Sequence, residues 1–398
     1  MYKGTCIIIG ITDSRRQWFP PEVEAAIARG KLFSGGRRHH EIMADRLPEG
    51  HSWIDITVPI TNVFRRYEEA LAGTDTGIVI FASGDPLFYG FAATVQREWP
   101  NCRLVVYPSF NSLQMLAHRM RLPYQDMRVV SLTGRPWDKF DEAVIRQEPL
   151  IGCLTDRTKT PQAIYERLHE YGYDNYDITV GELLGNEEEE RIGPFAEGRE
   201  YAVPNCLILR RTYIRPRPFG IPEQEFCFLD GRERMITKMP IRLHSLSMLD
   251  LHNRSSLWDI GFCTGSVSIE AKLQFPHLQV TAFEVREEGR GLMATNSRRF
   301  GTPGITAVIG DFLDADLSAY PRPDAVFIGG HNGRLKDILT KVLTVLTDDG
   351  CIVMNSVTPQ SKQLFKEACM ELGLEQQPAT RITINDYNPI EILKCNRK

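Results

Sequence analysis

The chain has 398 residues, a length at which one hydrophobic core usually gives way to two domains. A hydrophobic share of 42%, a charged share of 25% and a formal net charge of −4 indicate a globular protein, and they exclude a disordered chain and a surface that follows nucleic acid throughout. The first residues lack the pattern of a signal peptide, no stretch of roughly 18 apolar residues offers a membrane helix and no CxxC pair occurs among the cysteines, so we expect a cytoplasmic protein without a signal peptide, with reduced thiols and no metal.

The first half of the chain alternates short apolar segments with helical patterns. Strands are predicted at 6–11, 77–82, 103–107, 128–131, 150–154 and 178–181, and helices at 21–29, 91–99, 113–120 and 161–171. This alternation predicts a parallel α/β architecture. The acidic run at 187–190 is interpreted as a solvated loop.

Small and polar residues gather in the loops that follow these strands. The loop at 81–90 contains Ser83, Gly84 and Asp85, and its small residues let the main chain face a ligand while Asp85 fixes the turn. A lone loop of this kind is more often a structural turn. Its companions are the segments at 34–40, 108–112, 128–135 and 154–156, and the first loop, at 9–14, carries the single glycine Gly10.

Four arginines near the start of the chain are candidates for binding carboxylates, because a guanidinium group can hold a carboxylate with two hydrogen bonds. They are Arg15, Arg16, Arg37 and Arg38. As isolated side chains they would more often be surface cations. His39 and His40 lack the partners that a metal site needs, so no ligand role is assigned to them.

A proline-rich segment at 213–222 divides the chain. Three prolines and a glycine hold it extended, so we place the boundary there, with one domain at 1–212 and the other at 213–398. A second α/β series follows, with a helix at 238–249 and strands at 257–260, 279–284, 306–310, 325–328 and 351–355. Two further strands, at 381–384 and 390–394, would close the sheet with an antiparallel edge.

The strongest local signal lies at 257–270. A buried strand ends in Asp259, the chain turns through Gly261 and Gly265, and a helix begins near Ser266. Glycines allow the main chain to pass close to a ligand, and the start of a helix offers free N–H groups. The next strand ends in Glu284, whose carboxylate can accept both hydroxyl groups of a ribose.

The following two strands end in polar or glycine residues as well. Asp311 follows one of them, and Gly329 and Gly330 follow the other. Since the carboxyl ends of parallel strands share one edge, these residues predict a ligand site at that edge. His331 comes next and titrates near neutral pH, so it is a candidate proton donor, although a plain loop histidine is the simpler interpretation.

An NAD site would favour the pattern GxGxxG, whereas here the acid Asp259 precedes the first glycine by two positions. In this respect the segment resembles class I S-adenosylmethionine methyltransferases. That family usually has a glycine where Cys263 stands, and a small side chain is tolerable there if its φ is negative. The segments at 219–226 and 230–238 resemble the entry of the C15-methylating, decarboxylating half of cobalamin-pathway enzymes.

That second resemblance implies that Thr237 contacts the cofactor. Lys238 and Arg242 lie four residues apart on one helix face, where they could receive substrate carboxylates or be solvated surface cations. In the first half, the order of the loops resembles the tetrapyrrole methylase family, most closely its C5-methylating precorrin branch. This resemblance implies a cofactor cleft between two subdomains, lined by Gly10, Ser83, Gly84, Asp85, Asn111, Ser112 and Thr155.

The order of these two halves along the chain resembles that of the fused, decarboxylating precorrin-6Y C5,15-methyltransferase family. It implies an α/β chain with an N-terminal tetrapyrrole methylase (class III) domain followed by a class I Rossmann-like methyltransferase domain. S-adenosylmethionine would bind twice per chain. The first domain would methylate C5 of precorrin-6B or its cobalt form, and the second would methylate C15 and release the C12 acetate carboxylate, giving precorrin-8.

The same resemblance implies a tetrapyrrole polycarboxylate as substrate, held in part by Arg37 and Arg38, no nucleic acid and a homo-oligomer. Three alternatives stay open at this point. An RNA methyltransferase predicts a continuous basic and aromatic surface, which the balanced charge does not support. A non-catalytic regulator would bind S-adenosylmethionine without turnover, and a dehydrogenase would bind NADH.

Overall fold

The computed structural model describes residues 4–74, 76–232, 235–385 and 388–397. Contacts between residues divide the chain into two units. The first unit comprises the residues up to Arg135 together with Pro149–Ile164 and Tyr176–Thr212, and the second comprises Pro136–Glu148, Tyr165–Asn175 and the residues from Tyr213 onward. Within the described ranges, no helix has the length and apolar character needed to cross a membrane.

A five-stranded parallel sheet forms one half of the first unit. Its strands are β1 (Thr5–Ile11), β2 (Leu32–Gly35), β3 (Ser52–Asp55), β4 (Ile78–Ser83) and β5 (Arg103–Tyr107), in the order β3-β2-β4-β1-β5. The helices of this part are α1 (Pro21–Arg29), α2 (Arg37–Met43), α3 (Ile60–Leu71) and α4 (Phe91–Glu98), whereas the next helix, α5 (Ser112–Met120), packs against the second sheet of the unit. Along β1, Ile8 packs into one apolar cluster and Ile9 into another, because successive side chains of a strand point to opposite faces.

The second sheet of the first unit is mostly antiparallel. Its strands are β6 (Arg128–Ser131), β7 (Leu150–Leu154), β8 (Tyr176–Glu182), β9 (Arg191–Pro194) and β10 (Asn205–Arg211), in the order β6-β7-β10-β8-β9. Only β6 and β7 pair in parallel. The expectation of a parallel architecture was therefore wrong for this sheet, since apolar runs do not encode the direction of their neighbours. The helices α6 (Asp138–Ile145) and α7 (Pro161–Glu170) lie between its strands in the chain.

The second unit is built on one eight-stranded sheet. Its strands are β11 (Ser256–Ile260), β12 (Gln279–Glu284), β13 (Ile305–Ile309), β14 (Ala325–Ile328), β15 (Cys351–Ser356), β16 (Glu375–Gln376), β17 (Thr380–Ile382) and β18 (Ile390–Asn396). The helices are α8 (Met239–Met248), α9 (Ser266–Gln274), α10 (Glu288–Phe300), α11 (Leu335–Leu343) and α12 (Pro359–Glu371).

Short 3-10 helices occur in both units. They occupy Ala44–Arg46 in the first unit and Glu223–Glu225, Leu251–Asn253, Phe312–Asp314 and Leu317–Ala319 in the second.

The strand order of this sheet is β13-β12-β11-β14-β15-β18-β16, with β17 also paired to β18. Strands β11 to β15 run parallel, and β18 runs antiparallel to β15. The predicted α/β class and the antiparallel strands near the end of the chain are confirmed. The strand β18 is an interior strand rather than an edge, because β15 and β16 flank it.

The central strand β11 is buried along its whole length. Trp258 and Ile260 pack on one side of the sheet and Leu257 on the other, which encloses the strand between two layers of helices. Burial on both faces explains why Leu257, Trp258 and Ile260 of β11 are apolar, with Asp259 as the only acid of the strand. The parallel strands on either side deliver their carboxyl ends to the same edge of the sheet.

Candidate functional site

A cavity of about 300 Å³ lies at the carboxyl ends of the parallel strands in the second unit. The predicted residues that line it are Thr237, Lys238, Asp259, Gly261, Glu284, Asp311, Gly329 and His331. Gly265 and Arg242 are not among the lining residues. Eight predicted residues therefore share one cavity wall, and the two exceptions have physical causes described below.

Two glycines shape the turn after β11. Gly261 has a φ of +78°, and a Cβ at this position would lie 2.7 Å from the backbone nitrogen of Gly330. No side chain fits there, so two loops approach each other at the cavity wall. Gly265 has a φ of +77° and precedes α9, where a Cβ would lie 2.6 Å from the sulfur of Met293. It allows close packing behind the cavity instead of lining it.

Cys263 lies between these glycines with a φ of +51°. The condition of a negative φ, under which a small side chain is easily tolerated, is therefore not met, and the residue keeps the left-handed conformation that a glycine would adopt, at a cost of about 1–2 kcal/mol. Its backbone N–H donates to Glu284 Oε2 across 2.9 Å, and its thiol donates to the carbonyl oxygen of Met235 across 3.2 Å. Burial raises the pKa of the Cys263 thiol, so it is not an activated thiolate.

Asp259 is fully buried at the end of β11. Its Oδ2 accepts a hydrogen bond from Ser268 Oγ across 2.6 Å, and its Oδ1 has no partner among the described residues. Burial raises the pKa of Asp259 to about 7. A buried acceptor without a partner is costly, so this oxygen is available to a donor on a bound ligand.

Two more polar atoms in the cavity wall lack partners within the described part of the chain. They are Thr264 Oγ1 and Asn355 Nδ2. Asn355 is oriented by Ser245, whose hydroxyl donates to Asn355 Oδ1 across 2.9 Å, which leaves the amide N–H₂ toward the cavity side of β15. Sequence reasoning missed Asn355, and the signal was available, because it is a polar residue near the carboxyl end of the otherwise apolar strand β15.

The two acidic residues on neighbouring strand ends are held by defined donors. Glu284 Oε1 accepts from the backbone N–H and the guanidinium of Arg286, each across 3.1 Å. Asp311 accepts from Arg334 across 2.6 Å and from the N–H of Leu313 across 3.0 Å. The hydrogen bond from Arg334 holds the pKa of Asp311 below its ordinary value, so this carboxylate is charged at neutral pH.

His331 lines the cavity after β14, and both of its ring nitrogens have partners. Nδ1 accepts from the N–H of Gly333 across 3.2 Å, which places the proton of the neutral ring on Nε2, 3.1 Å from Ser361 Oγ. Burial lowers the pKa of His331. The ring is therefore neutral at pH 7, and its imidazolium form is a stronger acid than an ordinary histidine.

Arg242 does not face the cavity, and its assignment to substrate carboxylates was wrong. Its side chain is fully buried and forms an ion pair with the equally buried Glu270 across 3.3 Å. It also donates to the carbonyl oxygens of Ile221 and, across 2.8 Å, of Thr237. Lys238 immediately precedes α8 and does line the cavity. In the motif at 230–238, Glu233 and Arg234 lie outside the described residues.

A second cavity, of about 510 Å³, lies in the first unit. The predicted residues that line it are Arg38, Ser83, Gly84, Asn111, Ser112 and Thr155. Its walls come from the loops after β1, β4 and β5 and from β7, β8 and β10. Gly10, Asp85 and Arg37 are not lining residues.

Gly10 and Gly84 let two strand ends meet behind this cavity. A Cβ on Gly10 would lie 1.9 Å from the carbonyl oxygen of Gly84, and one on Gly84, whose φ is +63°, would lie 2.8 Å from Asn111 Cα. Gly10 therefore supports the wall from outside. Asp85 Oδ1 accepts from the N–H of Leu87 across 2.9 Å and fixes the turn.

The polar side chains of Asn111 and Thr155, in the wall of this second cavity, form hydrogen bonds within the local structure. Asn111 caps α5, with its Oδ1 accepting from the N–H of Gln114 across 2.9 Å. The Thr155 hydroxyl donates to Asn205, whose carbonyl oxygen lies 2.6 Å away. Asn205 also lines the cavity, and sequence reasoning missed it because it comes from β10, late in the first unit.

Arg38, Asp13 and His39 form a polar cluster on the cavity wall. Arg38 Nε lies 3.2 Å from Asp13 Oδ1, and His39 Nε2 lies 2.9 Å from Ser83 Oγ. Burial and the neighbouring Arg38 lower the pKa of His39 to about 4, so the ring is neutral. Arg37 is exposed at the start of α2. In the described segments, no group of three or more His, Cys, Asp and Glu side chains is placed to hold a metal ion.

Comparison with known proteins gives matches to both halves of the chain. Residues 5–197 match the family model of tetrapyrrole (corrin/porphyrin) methylases, and residues 229–397 match that of the precorrin methyltransferase domain. A precorrin-6Y C(5,15)-methyltransferase (decarboxylating) from Sinorhizobium sp is 29% identical over 371 residues, which are 92% of this chain and 88% of the relative.

A shorter relative matches part of the chain. A cobalt-precorrin-6B C(15)-methyltransferase (decarboxylating) from Salmonella typhi is 33% identical over 163 residues, 41% of this chain and 83% of the relative. The crystal structure of a precorrin-6Y C5,15-methyltransferase from Geobacter metallireducens is 30% identical and aligns with 46% of this chain and 100% of its own, with a TM-score of 0.42.

Proposed function

Because the chain belongs to the family of decarboxylating precorrin methyltransferases, we propose that it methylates precorrin-6B, or its cobalt form, at C5 and C15 and removes the C12 acetate carboxylate, giving precorrin-8. The chain is an S-adenosylmethionine-dependent C-methyltransferase. We assign C5 methylation to residues 1–212, and C15 methylation with decarboxylation to residues 213–398. The names of the relatives favour this function over RNA methylation.

The observation that carries the proposal is that each unit holds a cavity bounded by glycine turns at the carboxyl ends of parallel strands. We propose that each cavity binds one S-adenosylmethionine. Gly84 and Gly261 support this assignment, since neither position has room for a Cβ. The unpartnered Asp259 Oδ1 and Thr264 Oγ1 fit a polar ligand in the second cavity.

Within the second cavity we assign Glu284 to the ribose hydroxyls, because its carboxylate ends β12 at the cavity wall. The ionised form of Asp259 suits a ligand ammonium group. The bound cofactor would supply an electrophilic methyl group on a sulfonium sulfur. In the first unit, we assign contact with the cofactor to the main chain of Ser83, Gly84 and Asn111. Gly10 and Asp85 hold the loops that carry these residues in shape.

The chain's own contribution to methyl transfer is positioning. The acceptor carbons belong to an electron-rich conjugated macrocycle, so they attack without a strong side-chain base. The cavities exclude water around the reacting atoms and fix their approach. A polycarboxylate binds to a protein of net charge −4 because the local charge at the site matters more than the sum. We assign carboxylate binding to Lys238 at the second cavity and to Arg38, with Arg37 nearby, at the first.

Decarboxylation needs a proton at the carbon that loses its carboxyl group. The bond between the acetate methylene and its carboxylate breaks, carbon dioxide leaves, and the electron pair passes into the conjugated ring. A proton then converts the methylene into a methyl group. We propose that His331 delivers this proton, because it lines the cavity and its lowered pKa makes its imidazolium a stronger acid.

We further propose that the protein acts in the cytoplasm as a homo-oligomer and without nucleic acid. The test of the whole function is incubation of the purified chain with isotopically labelled S-adenosylmethionine and precorrin-6B or its cobalt form. Mass spectrometry should show a product that gains two labelled methyl groups and loses one carbon dioxide. A product of unchanged mass would contradict the proposal.

A further inference from the structure

The first loop of the chain forms an anion-binding concavity. The hydroxyl of Ser14 and the backbone N–H groups of Arg15 and Arg16 all point to one carboxylate, that of Glu187. Arg15 N lies 3.3 Å from Oε2 and Arg16 N lies 3.2 Å from Oε1. Converging N–H groups of successive residues are a recurrent way in which proteins bind anions.

The side chains around this concavity carry positive charge without a matching partner. Arg15 and Arg16 are exposed, and neither forms an ion pair with any described residue. Trp18, two residues further on, is 85% exposed. The loop therefore combines anion-binding N–H groups, free cationic heads and an apolar ring, which suits a ligand that is apolar in its centre and acidic at its edge.

Glu187 belongs to the acidic run at 187–190, and the other end of that run is anchored independently of the first loop. Glu190 accepts from Arg119 Nε and from the N–H of Gly185, each across 2.6 Å. Glu187 itself is exposed. Its hydrogen bonds, foremost that from Ser14, lower the pKa of Glu187 to about 2, so it is an anion at all physiological pH values.

Both loops border the cavity of the first unit. Thr12 and Asp13, which lead into the concavity, line one wall, and Leu184, which leads into the acidic run, lines another. The two loops touch there, because a Cβ on Gly185 would lie 3.2 Å from Thr12 Cβ. The contact of Glu187 with the first loop therefore joins two segments whose neighbouring residues line the proposed methylation site.

We propose that Ser14, Arg15 and Arg16 form a binding site for one peripheral carboxylate of the tetrapyrrole, and that Glu187 fills this site until the substrate displaces it. The proposal rests on the function given above, and it adds a named carboxylate site and an internal competitor. The competing groups are chemically the same, so displacement exchanges one carboxylate for another. Glu187 is exposed, and its withdrawal uncovers no apolar surface.

The consequence is that removing the charge of Glu187 should strengthen substrate binding. The variant Glu187→Gln keeps the size of the side chain and loses the anion that competes for the site. The matched control is Glu188→Gln, which changes the net charge equally in the same run, whereas the Glu188 carboxylate makes no hydrogen bond or ion pair with the described residues.

The test uses the full chain and uroporphyrin, a stable tetrapyrrole with eight carboxylates, with binding followed by the porphyrin fluorescence. Glu187→Gln should bind about three- to tenfold more tightly than the unaltered chain, a gain typical of freeing a charge-assisted hydrogen-bonding site at a surface. Glu188→Gln should stay within about twofold. The octamethyl ester of uroporphyrin, which has no carboxylates, should show no difference among the variants.

A double variant, Ser14→Ala with Glu187→Gln, should lose the gain, because the site then lacks its hydroxyl donor. Equal affinity of the unaltered chain and Glu187→Gln overturns the proposal, even where the chain converts precorrin-6B normally. Absence of methyl transfer to precorrin-6B, with the effect of Glu187→Gln intact, would reject the proposed function and leave the carboxylate site standing. Thermal unfolding of each variant checks that the fold is unchanged.

Discussion

The backbone N–H of Cys263 donates to Glu284 Oε2 across 2.9 Å while Cys263 holds a φ of +51°. This hydrogen bond thus holds the strained residue Cys263 and the side chain of Glu284, at the end of β12, in place relative to each other. The hydrogen bond orients the carboxylate proposed for the ribose, and it depends on a left-handed turn that a side chain other than hydrogen disfavours. The strain lies at the wall of the cavity, as strain at binding sites commonly does.

Replacement of Cys263 tests this turn. Cys263→Gly should fold with a stability within about 1 kcal/mol of the unaltered chain, since relief of strain is offset by the greater flexibility of the unfolded state. Cys263→Val should lose about 2–3 kcal/mol, because a β-branched residue strongly disfavours a positive φ. Denaturant unfolding measures both, and equal stability of the two variants would contradict the role assigned to the turn.

The two proposed cofactor sites can be counted separately. Gly84→Val and Gly261→Val each place a side chain where a Cβ would lie within 3 Å of backbone atoms. Titration calorimetry should give two equivalents of S-adenosylmethionine for the unaltered chain and one for either variant. Gly291→Ala is the control, since a Cβ there meets nothing within 4 Å. A single equivalent in the unaltered chain would rule out the two-site proposal.

The ionisation of Asp259 should control cofactor affinity in the second unit. Because burial raises the pKa of Asp259 to about 7, its carboxyl group loses its proton as the pH rises through that value. A cationic ligand binds the ionised form better, so the dissociation constant should fall between about pH 6 and about pH 8. The measurement uses the Gly84→Val background, where only the second site remains.

In that background, Asp259→Asn should remove the slope, because an amide does not titrate in this range. Asp311→Asn serves as the control, since Arg334 holds the pKa of Asp311 below its ordinary value and its charge is constant over the same interval. Retention of the full slope in Asp259→Asn would show that another group is responsible.

Substitutions at Arg242 and Lys238 should have different effects, the first on stability and the second on substrate binding. Arg242→Met leaves Glu270 as an unpaired buried charge, so the free energy of unfolding should fall by about 3–5 kcal/mol. Lys238→Gln, at the cavity wall, should change stability by less than about 1 kcal/mol while raising the KM for the precorrin. Denaturant unfolding and steady-state kinetics check the pair, and an unaltered stability of Arg242→Met would refute the structural role.

His331 should matter for decarboxylation more than for methylation. As the pH rises through a pKa that lies below the ordinary value for histidine, the imidazolium form disappears and the protonation that completes the decarboxylated methyl product should slow. His331→Ala should lower the rate of formation of that product by about 10²-fold and flatten its pH profile. The mass assay of methyl transfer in the same samples is the control, and equal loss of both activities would point to a positioning role.

Several features of the second unit could be predicted from the sequence because they depend on strong local patterns of residues. The run that ends in Asp259 is apolar because β11 is buried on both faces, and the glycines after it have no room for a side chain. Such constraints act on individual residues, so they show in the sequence. The same holds for Ser83 and Gly84, which follow β4 at the wall of the other cavity.

Features set by tertiary contacts were missed or misjudged. Arg242 has the helical spacing of a surface cation, and only its pairing with Glu270 shows that it is buried. The short strands β2 and β3 have four residues each, too few to show a period. Asn205 reaches the cavity from β10, through a pairing of distant segments that no local pattern encodes.

The position of β18 bears on how the second unit is assembled during synthesis. The strand Ile390–Asn396 lies between β15 and β16, yet the ribosome delivers it after both. Until it arrives, the outer edge of β15 carries unpaired backbone groups, a template for pairing with another chain. Truncation before Ile390 should therefore yield aggregation instead of a smaller soluble fragment, and a chaperone that shields nascent strand edges would find its target at β15.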